Sequence, residues 1–528
     1  MKKTLLALSL GCSLSLFAQD ANIPCKVQKS EVFKDEYKHS TIISVDEDNN
    51  GGVVVARSFQ GGMFSGGAHG YYFEHYDSGM KLVAEHEYEL KEGNVLGVLV
   101  NNDKVHIIDF TYSKTDKAYV CQANTADISN FKFTTKELFR VSSKEVKDGR
   151  IGAADVLGIV SMFGSGRIDD DNLSQMIINT DKTAFAVTVD IDDKEAKKEV
   201  HRIYVYDAAL NLKIDHVFKR DVKDRKFQYE NIDLSKDGST AYLLGRVKTE
   251  STKNKKEGGK YQYELTRITN ADSKTQVFDT KEHYARSLKT VVKENKIACV
   301  GFYSDRKDSR FKGLCYFDMD PVTLELKTSK YSPFTEQFMI DKYGKDKDKE
   351  LKNISFRDVF LTEANEIVFN AEEYYVTTHS SMGPNGSMGN TYYIYHYDDI
   401  VSAKIADNGE IVWARNINKR QSTGGDEAFI SYTSMVKGDD TYFFINTGEK
   451  VKKLRNDRIQ FGQKSAKKSN LNIIKINQNG DFEFKEVLDD KDNEVPFMVS
   501  DGAITKNGSS IYFIGRKGKK KQLLKLSV

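Results

Sequence analysis

Along the chain one pattern recurs: an apolar run, a short polar turn, then a second and stronger apolar or aromatic run. It reads ISVDEDNNGGVVVA at 43–56, LVNNDKVHIIDF at 99–110, IINTDKTAFAVTV at 177–189 and DLSKDGSTAYLLG at 233–245. It returns as VVKENKIACVGF at 291–302, LTEANEIVFNAEE at 361–373, MVKGDDTYFFIN at 435–446 and ITKNGSSIYFIG at 504–515. Asp, Asn, Lys and Gly fill the turns, as hairpins require, because these residues tolerate left-handed or tightly turned backbone. After each of the first seven comes a second kind of hairpin. Clear copies are RIYVYDAALNLKIDHVF at 202–218, DIVSAKIADNGEIVWARNI at 399–417 and LNIIKINQNGDFEFKEV at 471–487.

Two hairpins make a four-stranded antiparallel unit. One such sheet alone exposes two faces and is marginal, whereas radial stacking buries both. The pattern therefore predicts an all-β fold, a β-propeller of eight four-stranded blades, with seven as the alternative. The last unit holds only three strands, around Ser500, Tyr512 and Leu524. A strand near the N-terminus, within CKVQKSEVF at 25–33, is expected to complete it, closing the ring and covering a sheet edge.

Composition agrees with a strand-rich chain: Tyr 27 and Phe 30 stand against Pro 5 and Trp 1. The opening MKKTLLALSLGCSLSLFAQD has a two-lysine start, an apolar run and a small residue at Ala18. It reads as a signal peptide over 1–18, leaving 19–528 as one propeller domain of an exported protein, periplasmic or at the cell surface. No later stretch is long and apolar enough for a transmembrane segment. Without Lys2 and Lys3 the formal net charge of +2 disappears. A neutral chain gives no reason to expect nucleic acid as a partner.

The segments LKNISFRDVFLTEANEIVFNAEEYY and YYIYHYDDIV…NGEIVWARNINKRQ, both within 351–421, resemble a group of uncharacterised secreted β-propeller-like proteins from Bacteroidota. That resemblance implies the fold and export and carries no activity. The phrase ADNGEIVW at 406–413 is similar to the outer hairpin of pyrroloquinoline-quinone-type propeller repeats. Trp413 is the only Trp of the chain, so that cofactor does not follow.

In a propeller, the loops after the second and fourth strands of each blade leave on one face. The long segments here belong to that class: 59–70, 249–260, 377–390 and 449–470, with inter-blade insertions at 142–172 and 333–353. Long loops gathered on one face of a rigid scaffold predict the binding face. The apolar segment 153–164 is expected to cap it, and KYGKDKDKELKN at 342–353 to form a short solvated helix or turn.

The candidate contact residues are His69 and Tyr71 in blade one. In blade six they are Tyr375, His379, Met382, Met388 and Tyr392, where a soft Gly/Ser/Met segment reads as an inter-strand loop. Lys452, Lys453 and Arg455 lie in the basic loop, which suits an acidic glycan or headgroup. Asp46, Asp48 and Asn50 match the first half of a calcium loop, but the twelfth position is Arg57 rather than Glu. Calcium is thus the one cofactor with any pattern behind it, and otherwise none is predicted. Cys299 and Cys315 fall on adjacent predicted strands and are the candidate disulfide.

No nucleophile elbow, zinc-protease or phosphate-loop motif is present. The sequence therefore favours a non-catalytic binding or scaffold module for an envelope protein or glycan. A propeller-fold glycan hydrolase or lyase is the alternative.

Overall fold

A computed structural model of the 528-residue chain describes residues 23–528, apart from 61–69, 90–93, 147–173, 192–197, 224–225, 249–260, 279–282, 305–309, 348, 383–387, 457, 464, 466–467 and 507. The signal segment 1–18, the capping segment 153–164, the loop 249–260 and His69 lie outside the described residues.

Among the described residues the blade strands form eight antiparallel sheets arranged in a ring, and the fold is an all-β propeller. Seven blades are cut from continuous chain: blade 1 (39–89), blade 2 (94–142), blade 3 (174–223), blade 4 (227–278), blade 5 (284–333), blade 6 (354–417) and blade 7 (432–488). The remaining sheet is composite. Ala503–Ile504, Ser510–Lys517 and Lys520–Ser527 come from the C-terminus, and Lys26–Lys29 and Phe33–Lys34 pair onto the last of these. The N-to-C closure expected from the unfinished last unit is therefore present.

The period of two along the second strand of each blade explains the ring. Consecutive side chains point to opposite faces, and both faces here meet a neighbouring sheet. Ile107 packs between blades 1 and 2 while Ile108 packs between blades 2 and 3. Leu243 and Leu244, Cys299 and Val300, and Phe443 and Phe444 divide in the same way between successive cores. Phe513 and Ile514 do so in the closing sheet, the latter reaching Val55 of blade 1. Ala184–Asp190 and Ile297–Ser304 are buried along their whole length, whereas the outer strand Leu82–Glu89 alternates. Each such Leu, Ile or Phe contributes roughly 1.5–3 kcal/mol by burial.

Turn glycines set how closely outer hairpins stack. Gly409 in blade 6 has φ +84°, and a Cβ there would lie 2.3 Å from the Tyr316 ring of blade 5. Gly480 in blade 7 sits in the same way on Trp413 of blade 6, at 2.9 Å. The sole Trp is thus a blade-packing residue.

A buried ion cluster locks the closure. Arg57, fully buried on blade 1, donates to Asp35 at 2.8 and 3.2 Å and to Glu74 at 3.0 Å, with a second shorter bond to Glu74. Burial opposes its charge, yet Glu74 and Asp35 hold its pKa well above the usual range. Lys521 of the closing sheet lies 3.6 Å from Asp35, and burial pulls its pKa down to about 8.

Two sequence expectations need correction. The helix of the 333–353 insertion is α1, Glu336–Tyr343, and it is docked. It reaches only the first two residues of the stretch 342–353 expected to be a short solvated helix or turn, whose described residues after Gly344 are non-helical up to Lys352. Thr335 caps it, Gly344 ends it in the left-handed conformation, and Phe338, Met339 and Asp341 are buried. The cysteines Cys299 and Cys315 do lie on adjacent strands, but Cys299 faces Phe317 and Cys315 faces Gly301. Both thiols are free and buried, and burial raises the Cys299 pKa to about 12.

Candidate functional site

The stretch expected to be a soft loop in blade 6 is mostly strand. Ile367–Met382 and Met388–Ile405 are the longest strands of the chain's described part, and they stay paired from Tyr374↔Tyr397 out to Met382↔Met388. Only 383–387, outside the described residues, separate the two strands. At about 3.4 Å per residue, the eight steps from Tyr374 to Met382 carry this ribbon roughly 27 Å beyond the first strand of its blade. We refer to it as the arm.

Its root is braced from several sides. A register shift falls between Glu372 and Tyr374, and the Tyr374 N–H donates to the Asn353 carbonyl at 2.8 Å. Lys342 of α1 reaches Glu373 at 2.8 Å and Asp399 at 2.7 Å. Burial works against that lysine's charge, and the two carboxylates nonetheless raise its pKa. Asp341 receives Arg415 Nε at 2.5 Å, and Arg458 donates to the Lys342 carbonyl at 2.7 Å, satisfying the end of α1. Beneath the arm Lys419 is buried, bonded to Glu372 at 2.7 Å and to the Tyr397 carbonyl at 2.6 Å. Desolvation lowers its pKa, with Glu372 opposing. Ser431 donates to the other oxygen of Glu372 at 2.7 Å.

The sheet also widens sideways. Lys419–Thr423 pairs with Tyr395–Tyr397, and Ile459–Gly462 runs parallel to it through Lys419↔Phe461 and Arg420↔Gly462. The short strand Lys452–Lys453 pairs on the far side. The basic segment of blade 7 and the aromatic segment of blade 6, separate in sequence, are therefore parts of one seven-stranded sheet. Lys452, Lys453 and Arg455 are exposed at its edge.

The pairing assigns each arm side chain to a face. One face carries Tyr375, His396, Thr377, Ile394, His379 and Tyr392; the other carries Tyr374, Tyr397, Val376, Tyr395, Thr378 and Tyr393. Tyr375 stacks on His396 at 4.4 Å, and His379 on Tyr392 at 5.3 Å. Tyr375 donates to Asp398 at 3.1 Å. Tyr397 donates to Glu427, and burial and that carboxylate raise its pKa. Val376, Tyr392 and Tyr393 are 44%, 52% and 52% exposed. Residues 374–397 contain no Asp, Glu, Lys or Arg, in a chain in which 30% of residues are charged.

The remaining candidates fall elsewhere. Tyr71 is 1% exposed and belongs to the core between blades 1 and 2, so it offers no contact surface. Burial pushes its pKa to about 12. Asp46 is bonded to Lys182 of blade 3 at 2.6 Å. Asp48 accepts from the Asn50 and Gly52 amides at 2.8 and 2.7 Å and from His75 at 2.7 Å, while Asn50 is exposed. Among the described residues no group of three or more His, Cys, Asp or Glu is placed to hold a metal ion.

Buried carboxylates with raised pKa lie in different parts of the ring. Asp109 of blade 2 is pushed to about 6 by burial, against hydrogen bonds from Tyr88, Gln122 and Asn124. Asp233 of blade 4 rises to about 7 and Asp501, beside the closing sheet, to about 6, both through burial.

Reading the sequence by strand periodicity missed Thr377, Tyr393, Tyr395 and His396 as site residues. The uncharged run 374–397 was the available signal for them.

No family model matches the chain, and no curated protein matches it. Among solved structures, it is similar to the WD40 domain of SCAP from fission yeast, at 7% identity and TM-score 0.39, covering 96% of this chain and 97% of that one. It is similar to oligogalacturonate lyase from Vibrio parahaemolyticus at 9% identity and TM-score 0.33, covering 95% and 98%. The β-propeller domain of the Trilobed protease from Pyrococcus furiosus matches at 9% identity and TM-score 0.32, covering 71% and 93%. At these values none of the three says anything of this chain's activity.

Proposed function

We propose that the protein is a non-catalytic binding module of the cell envelope that engages a protein or glycan partner through the arm of blade 6. The observation that carries this reading is the exposed, charge-free aromatic ribbon. A protruding two-stranded edge is normally guarded by Lys, Glu or Pro. The outer strands of this same protein, LVAEHEYE and TTKELFRVS among them, follow that rule. The arm instead presents Val376, Tyr392 and Tyr393. Tyr offers a large contact area at small entropy cost together with a hydroxyl for hydrogen bonding, which suits protein surfaces and sugar rings alike. The bracing by α1, Lys419 and the strands beside it holds the ribbon rigid before binding, which limits the ordering penalty.

The test is capture from envelope extract and from a glycan panel with the chain 19–528, compared with the double variant Tyr392→Ala/Tyr393→Ala. A stoichiometric partner held by the parent and lost by the variant, with unchanged thermal unfolding, is the expected result. Equal recovery by both proteins would sink the reading, as would turnover of a glycan by the purified chain.

A further inference from the structure

We infer that the arm carries a two-histidine site for a divalent transition metal ion, formed by His379 and His396. The two residues lie on opposite strands and on the same face, flanking the Thr377↔Ile394 pair. Their rings lean toward each other, and both Nε2 atoms come to rest on one atom: Thr377 Oγ1 lies 3.2 Å from His379 Nε2 and 2.9 Å from His396 Nε2. Each ring is steadied by a tyrosine, at interplanar angles of 15° for His379 on Tyr392 and 7° for His396 on Tyr375.

This convergence has a chemical consequence. A hydroxyl carries one hydrogen, so it donates to only one of two imidazole nitrogens. The second must turn to the opposite tautomer and donate, or leave its lone pair unused. A cation lying between the two Nε2 atoms, beside Thr377 Oγ1, uses both lone pairs at once. Imidazole is the nitrogen donor suited to zinc, copper and nickel ions, at ~2.0–2.1 Å for zinc. His379 is exposed and His396 half-buried, so water has access to the remaining coordination positions. The Thr377 hydroxyl is available as a further weak ligand or as a hydrogen-bond acceptor for such a water.

Three other histidines among the described residues have different partners. His75 is bonded to Asp48, His106 to Thr125, and His39 to Arg516. A calcium ion, which takes oxygen ligands, has no place at a pair of imidazoles. The inference concerns residues beside the exposed tyrosines and stands independently of whether a macromolecular partner binds there.

The experiment titrates Zn2+ and Cu2+ separately into the chain 19–528 by calorimetry, with Ca2+ as control, and records the Cu2+ electron paramagnetic resonance spectrum. One equivalent of either transition metal is expected, with two nitrogen donors in the copper spectrum and no heat from calcium. His379→Gln and His396→Gln should each weaken binding by at least about tenfold, since each removes one of two nitrogen ligands. His75→Gln should leave binding unchanged. Thr377→Val should retain it, because a hydrogen-bond relay needs the hydroxyl and a two-nitrogen metal site does not. Failure of both metals to bind stoichiometrically would overturn the inference. So would unchanged affinity in both Gln variants whose thermal unfolding matches the parent.

Discussion

Removing the Arg57 guanidinium should open the ring at its seam. The side chain is fully buried, bonds Asp35, Glu74 and Ser40, and lies over the Phe33 and Tyr72 rings at 5.1 and 4.9 Å. Arg57→Ala leaves two buried carboxylates facing each other. Glu74 keeps the Tyr76 hydroxyl at 3.1 Å, and Asp35 keeps Ser40 at 2.8 Å and Lys521 at 3.6 Å. Breaking one side of a buried ion cluster typically destabilises by about 3–5 kcal/mol, because the partner charge stays buried and unpaired. Partial cover from Lys521 places this case near the lower figure.

The loss should be local at first. Asp35 belongs to the segment following Phe33–Lys34, so amide protection of Lys26–Lys29 should fall before that of blades 3–5. Urea unfolding at pH 7, with hydrogen exchange at the N-terminal strand, measures both the size and the place of the loss. The charge-free triple variant Asp35→Asn/Arg57→Met/Glu74→Gln should recover most of the stability. An Arg57→Ala protein within about 0.5 kcal/mol of the parent at pH 7 would refute the reasoning.

Other outcomes follow from single groups. Asp109, with its pKa raised by burial from 3.8 to about 6, favours the fold most when protonated, so its contribution falls as pH rises through that interval, by about 3 kcal/mol in all. Asp109→Asn should flatten that part of the urea-midpoint profile while keeping the Tyr88 and Asn124 side chains as neighbours. Gly409→Ala should lower stability by more than about 1 kcal/mol, from the φ of +84° and the Tyr316 ring at 2.3 Å from the new Cβ. The open turn glycine Gly518, at φ +66° with nothing within 4 Å, should lose only the backbone part of that penalty; equal losses in calorimetry would contradict the stacking argument. Tyr393→Ala alone should leave the unfolding midpoint within about 0.5 kcal/mol of the parent, as an exposed site does, while reducing partner capture.

The sequence by itself determined the strands, the tight turns and the need for an N-terminal strand to finish the last sheet. These are local matters: apolar residues two apart line a face, turn residues accept the bent backbone, and an unfinished unit calls for a missing edge. It also marked the Tyr/His segment of blade 6 and the lysines of blade 7 as unusual. Its reading of the segment as a loop failed because Gly, Ser, Met and Asn are loop residues by composition, while the pairing Val376↔Tyr395 through His379↔Tyr392 is long-range. Only the tertiary structure decided that pairing, because a ribbon needs lateral partners, and Lys419–Thr423 and Ile459–Gly462 come from later in the chain. The same holds for Tyr71 and Tyr392, which look alike in sequence. A neighbouring blade covers the first, while the second stacks on His379 and stays half-exposed, and burial is a property of what packs against a residue rather than of the residue.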